Sequence, residues 1–167
     1  MAQTQRVAIF PGSFDPITRG HLDVIERARE LFDQFVIGVL ENPEKNALFS
    51  PPERVALIEA ELGAGSDVSV LSFRGLTVDF AAEQGARWVV RGVRSASDIA
   101  HELPMAHSNR ICGRDEIQTV LVPTRPELAF ISSSLVRQIA LGGGQLSGFV
   151  TSGVQAALAS KMANPPA

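Results

Sequence analysis

The chain has 167 residues, 45% of them hydrophobic, and a formal net charge of −3 with a sequence pI of about 5.6. That is the length of one ordinary domain, numbered 1–167. It is too apolar for a disordered chain and lacks the basic balance that sequence-independent nucleic-acid binding needs. No apolar run approaches the roughly 20 residues that cross a bilayer, and residues 1–6 show no signal-peptide pattern. The single cysteine, Cys112, excludes an intrachain disulfide and fits a reducing, cytoplasmic compartment.

Strand and helix patterns alternate from the start. Residues 7–10 predict a first strand that closes at Pro11-Gly12. Residues 20–32 predict a helix, with Leu22, Ile25, Ala28, Leu31 and Phe32 on one face. A second buried strand, 35–40, leads into a polar loop. Ser50-Pro51-Pro52-Glu53 then reads as a helix start, with Ser50 as N-cap, and that helix runs to about Leu62 and stops at Gly63. Further strands are expected at 68–73, 88–90 and 117–122. Helices are expected at 76–84, 97–109, 132–141 and 153–162, followed by a frayed tail at 164–167. Pro104 inside the 97–109 segment predicts a kink or shift there. Five short, continuously apolar strands separated by helices imply an α/β fold: one doubly wound, five-stranded parallel sheet covered on both faces.

In such folds ligands bind beyond the carboxyl ends of the strands, so the residues after each strand carry the chemistry. Gly12 and Gly20 bracket the first loop and permit close backbone approach. His21 opens the following helix, whose N-terminus suits phosphate. Read as residues alone, this loop is equally a tight turn with a capping side chain, and it is not a dinucleotide fingerprint. Arg91-Gly92-Val93-Arg94 brackets a glycine with two arginines, a pattern suited to phosphate. Ser132, Ser133 and Ser134 start a late helix, as caps or as a second anion site.

Thr18-x-Gly20-His21, paired with Ile131-Ser132-Ser133-Ser134-x-x-Arg137, resembles the signatures of the nucleotidyltransferase superfamily. Within it, PGSFDPITRGH, the NPEK loop with Lys45, the RGVR turn and FISSSLVRQIA resemble the phosphopantetheine adenylyltransferase family, in order along residues 7–160. The resemblance implies a Rossmann-like nucleotidyltransferase fold and transfer of AMP from ATP to 4′-phosphopantetheine. It implies Mg²⁺ held mainly through the ATP phosphates, with no metal-ligating residues assigned, and a homohexamer without nucleic-acid or membrane partners. Residue roles follow the same resemblance. Ser13, His21 and Lys45 are catalytic. Ser13, Lys45, Thr77 and Arg91 hold the acceptor. Ser13, Phe14, His21, Gly92, Val93, Arg94 and Glu102, with Leu128, Ala129, Phe130, Ile131, Ser132, Ser133 and Ser134, contact ATP. Arg137 is expected to pair with a neighbouring carboxylate. His101 stands where the family carries an aromatic. The nearest alternative is a sister transferase acting on nicotinamide mononucleotide or glycerol 3-phosphate, against which the Lys45 loop and RGVR turn argue. A non-catalytic nucleotide sensor would be expected to lack His21, Lys45 or Arg91. A fragment of an RNA-linked synthetase would be expected to show a basic face.

Overall fold

The apolar run that opens the chain becomes β1 (Val7–Gly12). Its side chains alternate between two cores: Val7 and Ile9 pack on one side, Ala8 and Phe10 on the other. A strand needs apolar residues at every position only when both faces are covered. The computed structural model describes residues 5–41, 47–113 and 116–163. Within them β1 is followed by α1 (Arg19–Arg29), β2 (Gln34–Leu40), α2 (Pro51–Leu62), β3 (Val68–Phe73) and α3 (Thr77–Glu83). Then come β4 (Trp88–Val93), α4 (Ala96–Cys112), β5 (Gln118–Pro123), α5 (Ser133–Leu141) and α6 (Ser152–Ala163). Lys45 and the tail at 164–167 lie outside the described residues.

All strands are parallel, in the order β3-β2-β1-β4-β5. The chain builds outward from β1 to β3, then crosses back to place β4 on the other side of β1. This reversal opens a crevice between the carboxyl ends of β1 and β4. One core holds Ile25, Ile37, Ile58, Val136 and Leu158 from the sheet, α1, α2, α5 and α6. The other joins Ile9, Val36 and Val89 to Phe73, Val78 and Phe80. Gly38 matters there: a Cβ on it would sit 2.6 Å from the Phe80 ring, and Phe73 and Phe80 stack with centroids 4.3 Å apart.

β4 runs on to Val93, so Arg91 and Gly92 belong to the strand itself and not to a turn beyond it. α4 begins earlier than expected, because Ser95 caps it by accepting from the Asp98 amide. It then continues through Pro104 as one helix of 17 residues. The proline costs the bond to the carbonyl of Ala100, but Ala100 and Pro104 are both exposed, so water can take that carbonyl.

The expected start of α2 is observed, with the Glu53 carboxylate accepting from both the amide and the hydroxyl of Ser50. The Lys161 ammonium, 2.8 Å away, and the Ser50 donors pull the Glu53 carboxyl down to about 2. A folded-state value below the unfolded one means this stabilisation holds above about pH 4.5 and fades as pH falls towards 2. Glu53→Ala should therefore lower stability by about 1 kcal/mol at pH 7 and remove that part of the acid dependence. Urea unfolding midpoints at pH 7 and pH 3 check both.

Candidate active site

A cavity of about 480 Å³ lies at the crevice between β1 and β4. Its floor is the end of β1 and the loop to α1, and four carbonyl oxygens of this stretch are held from behind by other elements. Pro11 O accepts from Arg91 Nη1 at 2.7 Å, Ser13 O from Arg54 Nη1 at 2.7 Å, and Pro16 O from Ser133 Oγ at 2.8 Å. Asp15 O accepts from Arg137 Nη1. A cationic or hydroxyl donor on a carbonyl offsets part of the repulsion its oxygen presents to an anion. Phe14 sits between them with φ 46°, a left-handed conformation that costs a non-glycine residue roughly 1–3 kcal/mol. Its ring is held edge-on against Phe10 at 5.4 Å and against the His21 imidazole at 5.1 Å.

His21 sits in the first turn of α1, where Thr18 is the N-cap. Its Nδ1 accepts from the Thr18 amide at 3.1 Å, and its own amide donates to Thr18 Oγ1. The tautomer is thereby fixed, since a neutral imidazole that accepts at Nδ1 carries its proton on Nε2. Burial, with help from the Arg94 and Arg91 cations, pushes the imidazole down to about 4. His21 is therefore a neutral donor lining the cavity.

Across the cavity stand the two arginines. Arg91 makes a two-pronged pair with Glu102, both bonds 2.8 Å. Arg94 bonds Asp98 at 2.9 Å through Nε and reaches Ile131 O at 3.2 Å. Arg137 faces Asp15 at 3.4 Å. With these three pairs made and His21 neutral, the described part of the cavity carries little net positive charge, far less than four cations would give.

Of the expected contacts, Ser13, Phe14, His21, Arg91, Gly92, Arg94, Glu102, Ile131, Ser132, Ser133 and Ser134 meet in this one cavity. The serines divide their work: Ser132 caps α5 through the Leu135 amide at 3.1 Å, Ser133 holds Pro16, and exposed Ser134 shares a 3.1 Å hydrogen bond with the Ser132 hydroxyl. Glu102, expected at the nucleotide, spends both oxygens on Arg91. Val93, Leu128, Ala129, Phe130 and Thr77 do not line the cavity. Val93 is buried and its carbonyl accepts from the Thr124 amide. Phe130 is exposed and packs edge-on against Phe149. Thr77 opens α3. The structure adds Thr18, Thr124, Asp98, His101 and Arg137 to the lining. Asp98 had a signal in its four-residue spacing after Arg94; Thr124 and the carbonyl-holding Arg54 had none.

This crevice, with a helix N-terminus on one side and paired arginines on the other, defines a nucleotidyltransferase, and the cytidylyltransferase-like family model matches residues 9–139. The Alkaliphilus metalliredigens phosphopantetheine adenylyltransferase is 44% identical over 157 residues, 93% of this chain and 99% of that protein. The Synechococcus sp. enzyme of the same name is 47% identical over 144 residues, 86% and 90% of the two chains. The chain belongs to the phosphopantetheine adenylyltransferase family. Similarity to a solved Francisella tularensis bifunctional NMN adenylyltransferase/ADP ribose pyrophosphatase, at 17% identity, TM-score 0.70 and 97% of this chain against 50% of that one, concerns the fold alone.

Proposed function

We propose that this chain performs its family's reaction: ATP and 4′-phosphopantetheine give dephospho-coenzyme A and pyrophosphate. The carrying observation is the neutral His21 donor set beside Ser13 and opposite Arg91 and Arg94 in one cavity. An acceptor phosphate oxygen attacks the α-phosphorus of ATP, the bond to the α,β-bridging oxygen breaks, and that oxygen keeps the electron pair and leaves with pyrophosphate. The nucleophile is already an anion, so no side chain has to remove a proton. The protein's share is orientation and stabilisation of developing charge. His21 Nε2–H donates to an α-phosphate oxygen, and Ser13 adds a donor near both reacting phosphates. Lys45 and Arg91 hold the acceptor phosphate, and Thr77 meets the pantetheine arm. Gly92, Arg94, Ile131, Ser132, Ser133 and Ser134 line the nucleotide's path; Val93, Leu128, Ala129 and Phe130 lie outside that lining, and Glu102 acts through Arg91.

Among the described residues no cluster of three or more His, Cys, Asp or Glu could hold a metal ion. The reading includes Mg²⁺, which would be held by the ATP phosphates and would supply positive charge there beyond that of Arg91, Arg94 and Arg137, each already paired with a carboxylate. The same reading includes a homohexamer: α4 exposes the neighbouring pair Ile99 and Leu103 at 40% and 45%, apolar side chains that subunit contact would cover. Among the described residues no helix is long and apolar enough to cross a membrane; the reading places the reaction in the cytoplasm.

Pyrophosphate release from ATP and Mg²⁺ tests the reading, run with 4′-phosphopantetheine, nicotinamide mononucleotide and glycerol 3-phosphate in parallel. Release with the first acceptor alone is expected. Release with another moves the chain to a sister activity, and none from ATP-binding protein leaves a nucleotide sensor.

A further inference from the structure

Among the described residues Arg54 is the framework arginine of the site that hydrogen-bonds no carboxylate. It lies in the first turns of α2, 4% exposed, and Nη1 donates to Ser13 O at 2.7 Å and Leu40 O at 3.1 Å. Its Nε is buried with no hydrogen-bond partner among the described residues. The two carboxylates that share a neighbouring cavity with it are already engaged, Glu41 by Arg74 and Glu53 by Lys161. Glu41 still feels the Arg54 charge, but a buried cation whose counter-charge is shared with another arginine is costly, and what it holds explains why the fold keeps it. Ser13 O belongs to the floor of the active site, and Leu40 ends β2. A single guanidinium thus ties the carboxyl ends of two neighbouring strands. A second tie runs parallel to it, because the Asp15 carboxylate accepts from the Leu48 and Phe49 amides at 2.8 and 2.9 Å. Between Gly12 and strained Phe14, Ser13 has no other anchor: neither its amide nor its hydroxyl has a partner among the described residues.

We propose that Arg54 is a positioning residue for adenylyl transfer, acting through Ser13 and touching no substrate. This rests on the assignment of Ser13 to the reacting phosphates. Misplacing a reacting group by about 1 Å can cost 10²-fold in rate. Lysine keeps the charge but not the rigid guanidinium plane that sets Nη1 between the two carbonyls.

The test is a double-mutant cycle of Ser13→Ala and Arg54→Lys, with Arg54→Gln as a second replacement. Activity is counted per folded molecule, and kcat and KM are measured for ATP and 4′-phosphopantetheine. Expected is a fall in kcat of about 10- to 100-fold in Arg54→Lys with both KM values within about 3-fold. In the Ser13→Ala background the same change should cost little further. Independent, multiplying effects overturn the proposal, as does unchanged kcat in folded Arg54→Lys. Loss of the folded state in both Arg54 variants shows a purely structural residue and overturns it too. An active Ser13→Ala with unchanged kcat removes Ser13 from the reaction, and the proposal falls with that assignment.

Discussion

Alanine at position 21 is expected to lower kcat by about 10²- to 10³-fold and to change the KM for ATP by less than about 3-fold. The size is that of losing one pre-aimed donor to a developing phosphate charge, about 3–4 kcal/mol. The split follows from geometry. A single hydrogen bond on the α-phosphate adds little to ground-state binding of a triphosphate, whereas its strength grows as the phosphorus takes on a fifth oxygen. The Thr18 amide holds Nδ1 as an acceptor, so the donor is the neutral Nε2–H, and no proton must be gained first. With the imidazole pushed down to about 4, the free enzyme should show no His21 titration in its rate between pH 5 and 8. His21→Gln, which keeps a donor, should recover part of the lost turnover. Turnover within a few-fold of the parent in His21→Ala removes the histidine from the transition state.

The same imidazole should leave a mark on stability. Its folded value lies below the usual 6.5, so between about pH 4 and 6.5 the unfolded chain binds the proton and the folded one does not. Stability contributed by neutral His21 is then present above pH 6.5 and lost as pH falls towards 4. His21→Ala should flatten that segment of the unfolding midpoint against pH.

What could be read from residue order was whatever local chemistry dictates. The start of α2 is an example: a hydroxyl, two prolines and a glutamate fix a helix terminus within four residues, and no distant contact is needed. The five strands and their common direction follow from short apolar runs separated by helices. The strand order, with β4 beside β1, placed the crevice where the first loop and the RGVR turn had already drawn attention. What sequence order hides is any partner chosen by the fold. Arg54 looks like one more charge on an amphipathic helix, yet it supports Ser13, 41 positions earlier. Glu102 is expected at ATP from the family resemblance, while its oxygens belong to Arg91, 11 positions away. Asp15 could be seen as a loop carboxylate, but not as the acceptor for two amides more than 30 residues on. Long-range hydrogen bonds leave no periodic trace.

Arg91→Ala is expected to raise the KM for 4′-phosphopantetheine by about 10²-fold, with a much smaller change for ATP, if this guanidinium faces the acceptor phosphate. It should also cost stability. Glu102, 8% exposed, would keep its charge and lose its partner; breaking such a pair costs about 3 kcal/mol. The two losses separate in Arg91→Ala/Glu102→Ala. Removing both charges relieves the unpaired carboxylate, so the unfolding midpoint should return most of the way to the parent's. Acceptor affinity should not return, because nothing replaces the bidentate donor. Recovery of both would mean that Arg91 serves the fold through Glu102 and Pro11 O. A loss that falls on ATP alone would exchange the two phosphate sites, placing Arg91 on the nucleotide side and leaving the acceptor phosphate to other donors.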